Sequence, residues 1–205
     1  MKKVLLIIVF LLFVVNPVEG WGGGFEDEEI IDFIEHRIYE IRQVAYNSDL
    51  TLPRYRAREY AEEIVHQSKN ITERLDLDEQ IDPLLVTAII EAETNFVTKD
   101  TYDNGSSIGI GSMKRFTAEW IADLLDEEYS YWSVMNATDR GIKYVVYYLG
   151  IAYNKYEWRE RIVASYNLGF GRASSIPIGY VFYEYVHRVM GRYRQYIKYI
   201  NEGVY

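Results

Sequence analysis

Asp82-Pro-Leu-Leu-Val-Thr-Ala-Ile-Ile-Glu-Ala-Glu-Thr-Asn-Phe96 is the most informative segment of this chain. Asp82 followed by Pro83 is typical of a helix start, because aspartate accepts hydrogen bonds from the free amides of the first turn and proline suits the first helical position. The apolar residues that follow recur at helical spacing and predict a helix with an apolar face. This helix runs into two acidic residues, Glu91 and Glu93, which are candidates for chemistry.

The two glutamates cannot serve one site, because residues two positions apart on a helix point roughly 200° apart. Glu93 extends the apolar line of Leu85 and Ile89, whereas Glu91 follows Thr87 on a more polar flank. We therefore interpret Glu91 as a surface residue and Glu93 as the candidate general acid. Burial and the negative end of the helix dipole would raise the pKa of Glu93, as an acid working near neutral pH requires. From the helix pattern alone, an ordinary surface or capping role for Glu93 stays open.

The rest of the chain predicts an essentially all-α protein. Apolar residues recur at helical spacing in several segments, and no run of clean period-two alternation indicates a strand. The predicted helices cover about residues 26–45, 53–70, 84–94, 116–125 and 139–153, a shorter helix reaching residue 166, and about residues 181–200. The first two are interpreted as a packing extension without convergent polar groups.

The N-terminus has the pattern of an export signal. Lys2 and Lys3 precede an unbroken apolar run from Val4 to Val15, and Val18-Glu-Gly20 offers a cleavage position. Residues 1–20 are therefore predicted to be a signal peptide, which implies a periplasmic or extracellular protein. The run is shorter than the ~20 residues that a membrane span needs, so an uncleaved N-terminal anchor is the alternative.

Composition excludes several classes of function. The 205 residues carry a formal net charge of −9, and this lacks the basic footprint of a nucleic-acid-binding protein. An acidic protein also gains no long-range attraction to an anionic polymer, so binding one would depend on stacking and hydrogen bonds. The chain has no cysteine, and its histidines, His36, His66 and His187, are scattered, so we expect neither a metal site nor a cofactor.

Segment 82–96 resembles the opening motif of the soluble lytic transglycosylases, which are related to goose-type lysozyme. In that family an apolar helix ends in a catalytic Glu followed by Ser, and the resemblance places Glu93 and Thr94 at these positions. Further motifs follow in the family's order over about residues 79–193. They are Gly109-Ile-Gly-Ser-Met113 with Thr117-Ala118 for Gly-Leu-Met-Gln and its continuation, Gly141-Ile-Lys-Tyr-Val145 for the next helix, Ser165-Tyr-Asn-Leu-Gly-Phe-Gly171 for Ala-Tyr-Asn-Ala-Gly-x-Gly, and Tyr180 with Tyr185-Val186 for the closing pattern.

The resemblance implies a lysozyme-like transglycosylase domain at residues 78–205 and an N-terminal helical extension at residues 21–77 that has no counterpart in the core motifs. It implies Glu93 as the catalytic residue. The substrate-binding residues that it implies are Thr94, Ser112, Met113, Tyr166, Asn167 and Tyr180. Tyr166 would orient Glu93 or the N-acetyl group, whereas Tyr180 and Tyr185 could belong to either core or groove. Gly111 and Ser112 depart from the family's Met and Gln, and Leu168 departs from its Ala.

The reaction implied by the resemblance is non-hydrolytic cleavage of peptidoglycan glycan strands between N-acetylmuramic acid and N-acetylglucosamine, with a 1,6-anhydromuramyl end. A single carboxylate suffices because the muramyl C6 hydroxyl is the nucleophile, unlike in glycosidases that use two carboxylates. No stable membrane span is expected beyond the N-terminal signal or anchor. Two alternatives stay open: a goose-type hydrolase, and a catalytically impaired wall-binding protein whose groove is weakened at Gly111 and Ser112.

Overall fold

The computed structural model describes residues 25–44, 51–181 and 183–205. Most of these residues are helical, which confirms the all-α class. The helices are α1 (Asp27–Val44), α2 (Arg54–Arg74), α3 (Pro83–Thr94), α4 (Arg115–Leu125), α5 (Tyr131–Met135), α6 (Ile142–Lys155), α7 (Arg159–Leu168), α8 (Phe170–Ser175) and α9 (Glu184–Glu202). A π-helical turn at Ala137–Gly141 leads into α6, and 3-10 turns lie at Asp103–Gly105 and Ile178–Tyr180.

Helix α3 is the centre of the fold. The Asp82 carboxylate caps it by accepting hydrogen bonds from the amides of Leu84 (2.9 Å) and Leu85 (3.4 Å), and Pro83 is its first residue, so the predicted helix start is confirmed. Residues 83–91 of α3 are all buried, because α1, α2, α6 and α9 pack around them. A helix that is apolar all round belongs in a core, where each fully buried Leu or Ile contributes about 1.5–3 kcal/mol.

A small antiparallel sheet follows α3. Its strands are β1 (Lys99–Tyr102), β2 (Ser107–Gly109) and β3 (Met113–Lys114), and their order is β1-β2-β3. Ser107 pairs with Lys114 and Ile108 with Met113, which folds the segment between β2 and β3 back beside the end of α3. The sequence did not predict these strands, because strands of two to four residues are too short to show period-two alternation.

The N-terminal helices α1 and α2 pack against each other and join the same hydrophobic core as α3. The interpretation that they carry no convergent polar groups is wrong. Arg58 of α2 forms ion pairs with Glu28 and Asp32 of α1 and with Glu62 of its own helix. The two pairs with α1 were not predicted, because they depend on how the two helices cross rather than on a motif within either helix.

The predicted signal peptide at residues 1–20 lies outside the described residues, as does the end of the first predicted helix at Ala45. None of the helices in the described ranges is both long and apolar enough to cross a membrane.

Candidate functional site

A groove of about 720 Å³ opens where the C-terminal end of α3 meets the small sheet, α4, α7 and α8. Five of the residues predicted for the site line it: Glu93, Ser112, Met113, Tyr166 and Asn167. They come from α3, from the segment around β3 and from α7, so the fold brings together motifs that are up to 74 positions apart in the chain. The groove is concave and mixes aromatic and polar side chains, as small-molecule and sugar sites do.

Glu93 is half-buried at the end of α3 and faces this groove. Burial raises the pKa of the Glu93 carboxyl above its ordinary value, in the direction that the sequence predicts, and the negative charge of Asp103 adds to this. The hydrogen bond from Tyr185 and the positive charge of Arg188 oppose the rise in pKa. A carboxyl in such an environment holds its proton to a higher pH than an exposed glutamate, as a general acid must.

Tyr185 is the direct partner of Glu93. It lies in the first turn of α9 and is almost completely buried, and its hydroxyl donates to Oε1 of Glu93 at 2.6 Å. The guanidinium carbon of Arg188 lies 5.5 Å from the centre of the Tyr185 ring, one helical turn further along. The sequence could not decide whether Tyr185 belongs to the core or to the groove, because the closing motif fixes its position in the chain but not its contacts.

Tyr166 supports the segment between β2 and β3. Its hydroxyl donates to the carbonyl oxygen of Gly111 at 2.8 Å, and its ring packs edge-on against Tyr148 with the ring centres 5.4 Å apart. The hydroxyl that bonds to Glu93 is that of Tyr185, so the Tyr166 contact does not support the first of its two predicted roles, orienting Glu93 or the N-acetyl group, and the second stays a prediction.

The side chains packed around Gly111 explain why this position is a glycine. A Cβ atom at this position would lie 2.3 Å from Cγ2 of Val145 and 2.4 Å from the Tyr166 hydroxyl. The close approach of Tyr166 to the backbone thus requires glycine where the related motif has Met. The replacement of Met by Gly111 therefore has a local packing reason. The next residue, Ser112, has a φ of 48° and lines the groove.

Substituting Gly111 with alanine is expected to lower the free energy of unfolding by about 1–3 kcal/mol, because the added methyl must displace Tyr166 or Val145. Denaturant unfolding followed by circular dichroism measures this change. Gly171→Ala is the matched control, since a Cβ there meets nothing within 4 Å and alanine favours a helix. Equal stabilities for the two variants would contradict the explanation.

Two predicted binding residues are not brought to the groove. Thr94 is buried, and its hydroxyl donates to the carbonyl oxygen of Ile110 at 2.5 Å, which ties the end of α3 to the segment after β2. Tyr180 is 76% exposed and does not line the groove. Thr94 therefore supports the site through a buried hydrogen bond to the backbone and does not line the groove. Its position in a motif could not reveal this contact.

The groove has an aromatic wall that the sequence motifs did not single out. Phe116 and Trp120 of α4 and Phe170 of α8 line it together with Tyr148. Trp120 meets Phe170 edge-on with ring centres 6.2 Å apart, and Phe170 stacks on Tyr148 at 4.6 Å. Aromatic faces of this kind can pack against the apolar faces of sugar rings. The sequence predicted the helices that carry Phe116, Trp120 and Tyr148, but which of their faces border the groove depends on the tertiary packing.

A second carboxylate also lines the groove. Asp103 lies in the turn after β1 and pairs with Nζ of Lys114 at 2.6 Å, and it accepts a hydrogen bond from Ser107 at 2.9 Å. The hydrogen bond from Lys114 lowers the pKa of Asp103, so this side chain stays charged. The sequence motifs do not include Asp103. Across the described ranges, no group of three or more acidic or histidine side chains is arranged to hold a metal ion.

Glu91 is not the surface residue that the helix pattern predicted. Only 4% of it is exposed, and Arg37 of α1 donates to both of its carboxylate oxygens, at 3.0 and 2.8 Å. Arg192 of α9 pairs with it at 2.8 Å, and the Tyr196 hydroxyl donates to it as well. The prediction was wrong because α1 and α9 cover the flank of α3 that looked polar in isolation.

Comparison with known proteins places the chain in a family. No curated protein matches it. A family model described as the transglycosylase SLT domain matches residues 71–176, just over half of the chain, and this range includes Glu93 and most of the groove. The chain therefore belongs to the family of lytic transglycosylase SLT domains.

Proposed function

We propose that this protein is a peptidoglycan lytic transglycosylase in which Glu93 acts first as the acid and then as the base. It cleaves the β-1,4 bond between N-acetylmuramic acid and N-acetylglucosamine and leaves a 1,6-anhydromuramyl end. The observation that supports this most is the setting of Glu93: a half-buried carboxyl with a raised pKa, held by Tyr185 and facing a groove. Membership of the family supplies the class of substrate, the peptidoglycan of the cell wall.

The reaction needs one carboxyl group. Protonated Glu93 donates its proton to the bridging oxygen as the bond from that oxygen to muramyl C1 breaks, and the glucosamine part leaves as an alcohol. The Glu93 carboxylate then accepts the proton of the muramyl C6 hydroxyl while the C6 oxygen bonds to C1. No water is consumed. The Tyr185 hydrogen bond stabilises the charged carboxylate between the two steps.

The groove walls suit a sugar chain. Phe116 and Trp120 offer apolar faces on one wall, and Ser112 and Asn167 offer hydrogen-bonding groups. Because the protein carries a net charge of −9, short-range contacts of this kind hold the anionic polymer in the absence of long-range attraction.

The domain that carries this reaction is proposed to begin near residue 78, close to the start of the family match at residue 71, and to follow the helical extension of residues 21–77. Residues 1–20 are proposed to export it, because its substrate lies outside the cytoplasm.

Replacing Tyr185 with phenylalanine is expected to move the high-pH limb of the activity profile upward. Glu93 acts while protonated, so activity falls as pH rises through its pKa, and the Tyr185 hydrogen bond lowers that pKa. Removing the hydroxyl raises the pKa of Glu93 further, and the fall in activity then begins at a higher pH. The initial rate at which soluble fragments leave purified peptidoglycan, measured across pH, reports the shift.

Tyr166→Phe is the matched control for this measurement. It removes a hydroxyl from the same groove, but that hydroxyl bonds to Gly111 and not to Glu93. We expect its high-pH limb to stay at the wild-type position. A Tyr185→Phe profile that superimposes on that of Tyr166→Phe would contradict the assignment of Glu93 as the acid.

The second candidate function is a hydrolase of the goose-type lysozyme kind, and Asp103 is the observation that favours it. A charged carboxylate on the same groove could take a proton from an attacking water, as the second carboxylate of many glycosidases does. Its pairing with Lys114 and Ser107 instead supports a role in shaping the turn. The two reactions give products that differ by one water for each cleaved bond.

A further inference from the structure

Helix α1 contacts the end of α3 at two points, one on each side of Glu93. Arg37 forms two hydrogen bonds to the Glu91 carboxylate, two positions before Glu93. Arg42 donates from Nη1 to the carbonyl oxygen of Phe96, three positions after Glu93. Both arginines precede residue 71, where the family match begins, so these contacts come from outside the matched domain.

The contact from Arg42 falls on a strained turn. Asn95 and Phe96 have φ values of 50° and 59°, in the left-handed region that a bulky residue such as phenylalanine rarely adopts. Such a conformation persists only where the surrounding structure holds it. Phe96 is fully buried and Arg42 is 6% exposed, so the guanidinium secures this turn from inside the protein.

Arg37 is one of three side chains, from α1 and α9, that contact the Glu91 carboxylate, and we call these contacts the clasp on Glu91. Arg192 and Tyr196 of α9 bond to the same carboxylate, and the Arg37 guanidinium carbon lies 5.8 Å from the centre of the Tyr196 ring. Helix α9 also carries Tyr185, the partner of Glu93. Helices α1 and α9 therefore both fix the end of α3 relative to the groove.

We propose that Arg37 and Arg42 are positioning residues for Glu93, so that α1 contributes to the reaction rate and not only to the stability of the fold. Proton transfer requires the carboxyl to lie within about 2.6–3.2 Å of the oxygen that it protonates. A small shift of the end of α3 would lengthen this distance, and a displacement of about 1 Å can lower a rate by about 10²-fold. This proposal rests on the proposed function of Glu93.

The test uses the full chain with Arg37→Met and Arg42→Met, each alone, and with Arg37→Lys and Arg42→Lys as milder variants that keep the charge. We expect the methionine variants to lower kcat on solubilised glycan strands by about ten- to a hundredfold, with KM changed less than about threefold. The high-pH limb of the profile should also move, because Glu93 takes a different position. The lysine variants are expected to recover part of kcat.

Arg58→Met is the matched control. Within the described residues, Arg58 pairs with Glu28 and Asp32 of α1 and with Glu62 of its own helix, and none of these partners belongs to α3. This variant should unfold at a lower temperature but keep the kcat and the pH profile of the wild type. If Arg42→Met keeps the wild-type kcat, or if Arg58→Met loses as much activity at equal folded fraction, the positioning role is overturned.

A second readout separates this inference from the proposed function. The amides of Asn95 and Val97 bond to the carbonyls of Glu91 and Thr94, at 3.1 Å each, and so report on the turn after Glu93. Their hydrogen exchange should accelerate in Arg42→Met and stay unchanged in Arg58→Met. An inactive wild type would refute the proposed function and with it the effect on rate, whereas unchanged exchange in Arg42→Met beside an active wild type would refute the positioning role alone.

Discussion

Glu93→Gln is expected to lower the rate of release of soluble peptidoglycan fragments by a factor of about 10²–10⁴, the usual contribution of a general acid. The amide of glutamine cannot supply the proton that the bridging oxygen needs. Glutamine keeps an oxygen that can accept the hydrogen bond from Tyr185, so the groove should retain its shape. A turbidity assay on purified wall material, with wild type and variant at equal concentration, measures the loss.

The stability of the same variant provides the control. Burial raises the pKa of Glu93, which means that the charged form is disfavoured in the folded protein at neutral pH. A neutral glutamine should therefore leave the melting temperature unchanged or higher. Full activity in Glu93→Gln would show that another group is the acid, and an inactive wild type would favour the wall-binding alternative.

Glu91→Gln is expected to lower the free energy of unfolding by about 3 kcal/mol. Removing one partner from a buried ion pair leaves the opposite charges without compensation, and Glu91 has two arginine partners. We expect the lower end of the usual range of about 3–5 kcal/mol, because Arg37 and Arg192 keep part of their exposure to water. Denaturant unfolding measures the change.

Glu202→Gln is the comparison for this measurement. Glu202 forms a solvent-exposed pair with Lys198 at 3.8 Å on α9, and exposed pairs at this spacing contribute about 0.3–0.5 kcal/mol. If Glu91→Gln costs no more than Glu202→Gln, the clasp on Glu91 does not stabilise the fold. The activity of Glu91→Gln should be measured under conditions in which the variant is fully folded. A loss of activity then reports displacement of α3 and not unfolding.

Local signals were sufficient for some of the fold. Asp82 and Pro83 begin α3 as predicted, because capping depends on residues within one turn. Glu91 was misplaced because its surroundings come from α1 and α9, which are distant in sequence and leave no trace in the helix pattern. The strands around Ser107 and Met113 were missed because they are too short to show a pattern.

The motifs predicted residues of the candidate site correctly only where the side chains of those motifs line the groove. Ser112 and Tyr166 lie on it, whereas Thr94 points to a backbone carbonyl behind it and Tyr180 lies away from it. Tyr185 could not be chosen over Tyr166 as the partner of Glu93, because both are tyrosines in motifs and only the packing of α9 decides. Asp103 belongs to none of the motifs, and only the fold of the turn between β1 and β2 places it at the groove.

Mass spectrometry of the products of purified peptidoglycan is the most direct measurement of the proposed reaction. The protein from residue 21 onward is incubated with the wall material, and the molecular masses of the soluble fragments are measured. Because the muramyl C6 oxygen bonds to C1 and stays attached to C6, the proposed reaction predicts fragments with 1,6-anhydromuramyl ends, each lighter by one water than a hydrolysis product. Fragments with reducing muramyl ends at the hydrolytic mass would contradict the proposal and show that water is the nucleophile.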